Sequence, residues 1–157
     1  GRRKVAVVGG RDERSQRRMN AFAQECAALG MQKGRGALPM HHVVAPTTLG
    51  QGRQGLAQLL QARPDLDAIF CSSDLLALGV MIEAQSRGIA IPGQLAVVGF
   101  GDLEFSRDLQ PRLTTVRIDG TGIGQRAARF IIDRASGIEV RERIVDVGFS
   151  IIARDSA

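Results

Sequence analysis

Four side chains have the types and spacing to do chemistry together: Asp74, Asp102, Arg14 and Arg18. The chemistry they suit is recognition, not bond making. In DAIFCSSDLLALG, from Asp67 to Gly79, an apolar strand ends at Cys71, Ser72 and Ser73 form a polar turn, and Asp74 opens an amphipathic helix. LAVVGFGDLE repeats the arrangement, its strand from Leu95 to Val98 delivering Phe100, Asp102 and Glu104. Open α/β sheets bind ligands beyond the carboxyl ends of their strands, so two strands aim acids at one cleft. GGRDERSQRR adds donors: Arg14 and Arg18 follow a strand ending at Gly9 and Gly10, and a forked guanidinium matches a carboxylate or a set of hydroxyls. Donors on one side and acceptors on the other describe a pocket for a polyol or a sugar acid. Plainer readings stand beside this one: Asp74 as a helix cap, and the arginines as solvated surface charge.

Other chemistries find less support. Gly50, Gly52 and Gly55 spell GxGxxG with Asp74 at a ribose-binding distance, but Pro46 to Leu49 separate them from the preceding strand and they fall on the first turns of a helix. His41 and His42 are adjacent and diverge in an extended segment; Cys26 and Cys71 lack ligand-spaced partners. No GxSxG occurs. The expectation is therefore no catalytic residue, no metal and no cofactor.

The elements that must position these residues alternate. Strand signals fall at Lys4 to Val8, His42 to Ala45, Asp67 to Cys71, Leu95 to Phe100, Thr114 to Ile118 and Arg143 to Ala153. Between them, Met19, Phe22, Cys26 and Leu29 mark a helix stopped by Gly30. Leu56, Leu59 and Leu60 mark one closed by Pro64, and Leu75, Leu78 and Ile82 one that ends at Gly88 with Asp74 as its N-cap. This βαβα order predicts an α/β fold, a mostly parallel sheet with helices on both faces. After Phe105 the pattern changes, with a proline, a brief strand and a helix carrying Ile123, Ala127, Phe130 and Ile131 up to Gly137.

Composition narrows the class. A chain of 157 residues makes one domain or slightly more and can bury roughly 70% of its unfolded surface. The two cysteines suit a reducing cytoplasm, and no stretch reaches the ~20 apolar residues of a membrane span. The +5 net charge is mostly dispersed arginine, without Tyr or Trp to stack on bases and without a helix-turn-helix, so direct DNA contact by this chain is not expected.

Taken together, VAVVGGRDERSQRRMNAF, AIFCSSDLLALGVMIEAQSRGIAIPGQLAVVGFGDLE and PRLTTVRID resemble the effector-binding half of lactose and galactose repressor (LacI/GalR) proteins, which look like periplasmic sugar-binding proteins. DERS with GFGDLE looks most like the gluconate-utilisation repressors. The resemblance implies an effector held by Arg14, Arg18, Asp74, Asp102, Ser73 and Phe100, and a homodimer meeting at Leu78 and Leu109. Where family members often read GYDD this chain reads GFGD, so Gly101 takes the place of the usual acid and Asp102 is displaced by one. The resemblance also implies a fragment of a two-lobe domain: residues 1–112 in the C-terminal lobe, 113–138 a strand and helix of the other lobe, and 139–157 a returning strand. DNA would be reached only through a missing N-terminal domain, and the helix near Thr121 to Ser136 would lack its native sheet. A solute-binding receptor for sugar uptake is the alternative.

Overall fold

A computed structural model describes residues 1–31, 36–140, 142 and 144–157. The chain runs β1 (Val5–Gly10), α1 (Glu13–Ala28), β2 (Met40–Val43), α2 (Leu49–Ala62), β3 (Ala68–Cys71), α3 (Asp74–Ser86), β4 (Ala96–Phe100), a 3-10 turn (Glu104–Arg107), β5 (Thr114–Arg117), α4 (Gly120–Ala135) and β6 (Ser150–Ile152). The strands form one sheet in the order β2-β1-β3-β4-β5-β6. Neighbours from β2 through β5 are parallel, and β6 closes the edge antiparallel to β5. The predicted α/β layering is the one found.

β1 is buried along its whole length, as a central parallel strand covered on both faces must be, which is why it reads as an apolar run instead of an alternation. On one face α1 sets Met19 and Cys26 onto Val5, Val7 and Phe70, and Phe22 stacks on Phe70 with ring centroids 5.0 Å apart. On the other, α2 and α3 lay Leu56, Leu59, Leu76 and Val80 over Val8, Ile69 and Val97. The glycine string belongs to this second layer. A Cβ on Gly52 would strike the Leu76 carbonyl and one on Gly79 the Leu49 carbonyl, so the two helices touch backbone to backbone. Gly52 serves helix packing, and the nucleotide reading loses its motif.

Four expectations need correction. β2 lies two residues earlier than the apolar pattern suggested, because Met40 pairs opposite Val7. The cap of α3 is Ser73, whose hydroxyl accepts from the Leu76 N–H at 3.4 Å, and Asp74 is the first helical residue. Residues 114–117, expected to belong to another lobe, form the fifth strand of this sheet: Gly101 N–H donates to the Val116 carbonyl at 2.8 Å and Leu113 is fully buried beneath. The last strand is confined to three residues; Arg143, where it was expected to start, lies outside the described residues, and Ile144 and Phe149 are exposed.

Helix α4 stands apart. None of its residues is buried, and Ile131 is 71% exposed although the helix is amphipathic. No helix among the described residues is long and apolar enough to cross a membrane.

Candidate functional site

In a sheet ordered β2-β1-β3-β4, the strand connections reverse between β1 and β3, and the crevice beyond their carboxyl ends is the usual ligand position. Gly10, Ser72 and Phe100 sit at the ends of β1, β3 and β4 on that rim. Asp12 caps α1 by accepting from the Ser15 N–H at 3.0 Å, which starts the helix directly at the rim and places Arg18 within its second turn. Ser72 locks the two turns together: its Oγ accepts from the Gly10 N–H at 3.2 Å and lies 3.3 Å from the Ser15 hydroxyl.

Arg18 is held on two sides. One terminal nitrogen donates to the Ser72 carbonyl at 2.9 Å, and the guanidinium carbon stands 3.7 Å over the Phe100 ring, within cation–π range. A guanidinium carries five N–H groups, and no other hydrogen bond from Arg18 is made among the described residues. Burial lowers the Arg18 pKa from its ordinary value; the charge of Asp12 opposes this and that of Arg14 adds to it. Arg14, one turn earlier on the same helix face, is exposed. Ser73 is partly exposed beside Ser72, and its oxygen caps α3 while its hydroxyl donates no hydrogen bond among the described residues.

The two acids behave otherwise than their positions suggested. Asp74 is completely buried and faces the opposite side of the sheet from Phe100. One of its oxygens accepts from the Leu103 N–H at 2.7 Å and the Ser106 hydroxyl at 2.9 Å, the other from the Thr115 hydroxyl at 2.5 Å. Gly99 is glycine because a Cβ there would collide with that carboxylate. Asp74 thus ties α3 to β5 and to the segment after β4, and it has no access to a ligand at the rim. Asp102, at φ 52° in the left-handed region, gives one oxygen to Arg117 at 2.5 Å and the other to Arg154 at 2.6 Å. Burial alone would raise its pKa, but the two guanidiniums outweigh that and hold it below the usual carboxylate value.

So the structure brings Arg18, Phe100 and the Ser72 turn into contact, with Arg14 and Ser73 alongside, and turns Asp74 and Asp102 inward. What the residue pattern missed was Ser72 as the rim's organiser and Arg117 and Arg154 as partners of Asp102. Ser72 stood in the quoted motif. The arginines gave no signal, since their partner is 15 residues away for one and 52 for the other.

Elsewhere, Leu78 and Leu109 line one apolar groove of about 380 Å³ with Met81, Ile82, Ile89 and Ile91. Cys71 is fully buried, and that burial, with the charge of Asp74 behind it, pushes its thiol pKa far up, which makes it inert packing. No group of three His, Cys, Asp or Glu among the described residues could hold a metal ion.

Comparison with known proteins bears on the family and the fold. The model of the periplasmic binding protein-like domain matches residues 1–157. The HTH-type transcriptional regulator GntR of Pseudomonas aeruginosa is 35% identical over 99% of this chain and 45% of its own length. IdnR of Escherichia coli K12 is 30% identical over 96% of the chain and 44% of its length. Among solved structures, the transcription regulator GntR from Chromobacterium violaceum superposes with a TM-score of 0.91 at 34% identity, covering 99% of this chain and 57% of that one. The chain spans about half the length of the curated relatives it matches. It belongs to the periplasmic binding protein-like domain family, in the form carried by LacI-family transcriptional regulators.

Proposed function

We propose that this chain is the effector-sensing and dimerising part of a cytoplasmic, non-catalytic LacI/GalR-type repressor, with a sugar or sugar acid as effector. The observation that carries the reading is Arg18: it is fixed at the strand ends by the Ser72 carbonyl and the Phe100 ring, and its other donors have no hydrogen-bond partner among the described residues. Arg14, Arg18, Ser73 and Phe100 form one wall of the pocket. With Asp74 and Asp102 engaged inside the protein, that wall is rich in donors and poor in free acceptors. A ligand bringing its own anionic oxygen fits it better than a neutral sugar, and gluconate is the probe of choice.

The proposal extends to the rest of the protein. Residues after Arg117 up to the return at Ser150, including α4, would pack with the remainder of a longer chain, which supplies the second wall and the DNA-binding head. The exposed Ile123, Ile131 and Ile132 support this. The groove at Leu78 and Leu109 is the proposed homodimer contact.

The test is calorimetry of gluconate and related sugar acids against the full-length protein and its Arg18→Ala variant. Arg18 contributes one hydrogen bond and one cation–π contact at a half-exposed position, about 2 kcal/mol of stability together, so the variant should still fold. Its binding should fall by at least about 100-fold, as loss of a charge-assisted ligand contact predicts. Undiminished affinity in Arg18→Ala, or no response of the wild type to any sugar acid, would refute the reading.

A further inference from the structure

Asp102 sits where three chain segments meet. Its backbone follows Phe100 and Gly101, and two left-handed residues in succession, Gly101 at φ 135° and Asp102 at φ 52°, turn its carboxylate back over the end of β5. One oxygen receives Arg117, the last residue of β5 before the chain departs toward α4. The other receives Arg154, just beyond β6, where the chain has returned. Arg154 is anchored further: it donates to the Leu113 carbonyl at 2.7 Å, and its backbone N–H to the Thr114 hydroxyl at 2.9 Å. The Asp102 and Arg154 side chains are 6% and 12% exposed, so this pair is shielded from solvent screening; Arg117 is 52% exposed and approaches from outside.

Away from the exit, the joint is firm: Arg112 pairs bidentately with Asp155, and Ser156 bonds the Thr114 N–H and the Val97 carbonyl; toward the exit it thins. β6 has three residues, pairs only with β5, and exposes Ser150 and Ile151. At that exit end the carboxylate of Asp102, bridging Arg117 and Arg154, is the contact that joins the departing strand to the returning one. The same loop holds the ligand wall, because Phe100 is the platform under Arg18.

We propose that Asp102 is a positioning residue, a clamp that fixes the exit angle of β5 and β6 and so couples that exit to the Arg18–Phe100 rim. It acts without touching the effector. The coupling to effector binding rests on the function proposed above, whereas the clamp itself does not.

Hydrogen–deuterium exchange on the full-length protein tests the clamp without ligand. Asp102→Gly keeps the left-handed backbone accessible while deleting the carboxylate, and Arg117→Gln removes the outer guanidinium without touching that turn. Both should speed exchange in peptides covering 113–118 and 150–154 by about tenfold or more while leaving 5–10 and 68–71 unchanged. Unchanged exchange at 113–118 and 150–154 in both variants overturns the clamp, as does uniform acceleration across the sheet. Gluconate calorimetry then separates positioning from contact. Asp102→Gly should bind about fivefold more weakly, Arg117→Gln less so because the Arg154 pair survives, and the double variant no more weakly than Asp102→Gly alone, because Arg117 acts only through that carboxylate. Losses that multiply in the double variant would show Arg117 and Asp102 acting independently and would overturn the shared clamp. A wild type that ignores gluconate defeats the effector reading, and the exchange data still decide the clamp.

Discussion

Asp74→Ala separates the two readings of the acid in the SSDLLALG motif, and its effect can be worked from the contacts. The carboxylate is fully buried and accepts from the Leu103 N–H, the Ser106 hydroxyl and the Thr115 hydroxyl. Truncation leaves three donors facing a small void. Each buried donor left unpaired costs about 1–3 kcal/mol, but the three share one acceptor and relax together, so about 3–5 kcal/mol in total is the consistent figure. Domains of this size hold about 5–15 kcal/mol, and each kcal/mol moves the midpoint by roughly 2–4 °C, so Tm should fall by about 6–20 °C. Asp74→Asn keeps one oxygen for Leu103 and Ser106 but reverses the partnership with Thr115, which points to a loss of about 1–2 kcal/mol. Gly99→Ala, whose Cβ meets the same carboxylate, should mimic the larger loss. Urea denaturation of the three variants is the assay. If Asp74→Ala unfolds within about 1 kcal/mol of wild type, the buried network is not what holds Asp74 in place, and a ligand role regains standing.

Three further outcomes follow from other parts of the structure. Gly79→Ala pushes a methyl into the Leu49 carbonyl on α2 and should cost about 1–3 kcal/mol in thermal or urea unfolding, whereas Gly93→Ala, with only the Ala90 side chain nearby, should be close to neutral. Leu78→Glu places a charge in the groove shared with Leu109, and sedimentation of the full-length protein should shift to monomer with Tm little changed; a persistent dimer would place the interface elsewhere. Stability should also fall in acid. Asp102 titrates below its unfolded value of 3.8, so its contribution is complete above that pH and lost as the pH drops through the lower folded value. Urea midpoints measured from pH 6 down to pH 2 should decline in wild type and decline less in Asp102→Asn.

The alternation of apolar strands and amphipathic helices made the sheet and its helix layers legible, since burying β1 on both faces demands an unbroken apolar run and α1 a three-to-four repeat. Strand ends carrying Arg18 and Phe100 were legible for the same reason: topology fixes which end of a parallel strand meets the crevice. Which way a polar side chain turns at that end was not. Asp74 and Asp102 look alike as acids after apolar strands, yet the first is claimed by a hydroxyl of β5 and the second by two arginines far along the chain. No local pattern announces such a partner. Gly99 and Gly101 did carry a trace of it: one gives the Asp74 carboxylate its space, and the other gives the Asp102 turn its positive φ.

That inward turn changes what the rim can select. A pocket wall with paired acids and free arginines would bind neutral polyols through both donors and acceptors. Here Asp74 is already consumed by neutral donors and Asp102 by cations, while Arg14 and Arg18 are offset in part by the charge of Asp12 and the outer donors of Arg18 have no hydrogen-bond partner among the described residues. Presenting a neutral sugar leaves those guanidiniums with weaker partners, whereas a carboxylate satisfies one bidentately. The departure from the common GYDD string fits this arrangement: Gly101 adds no acid beside the Asp74 carboxylate, and Asp102, carried a residue onward, pairs with Arg117 and Arg154. Restoring the acid with Gly101→Asp would force an unfavourable φ of 135° and would start a second carboxylate from a Cβ only 3.7 Å from the buried carboxylate of Asp74. Stability in urea should therefore drop more steeply in Gly101→Asp than in the equally strained Gly101→Asn, and equal losses would mean that the Asp74 carboxylate does not repel a charge placed there.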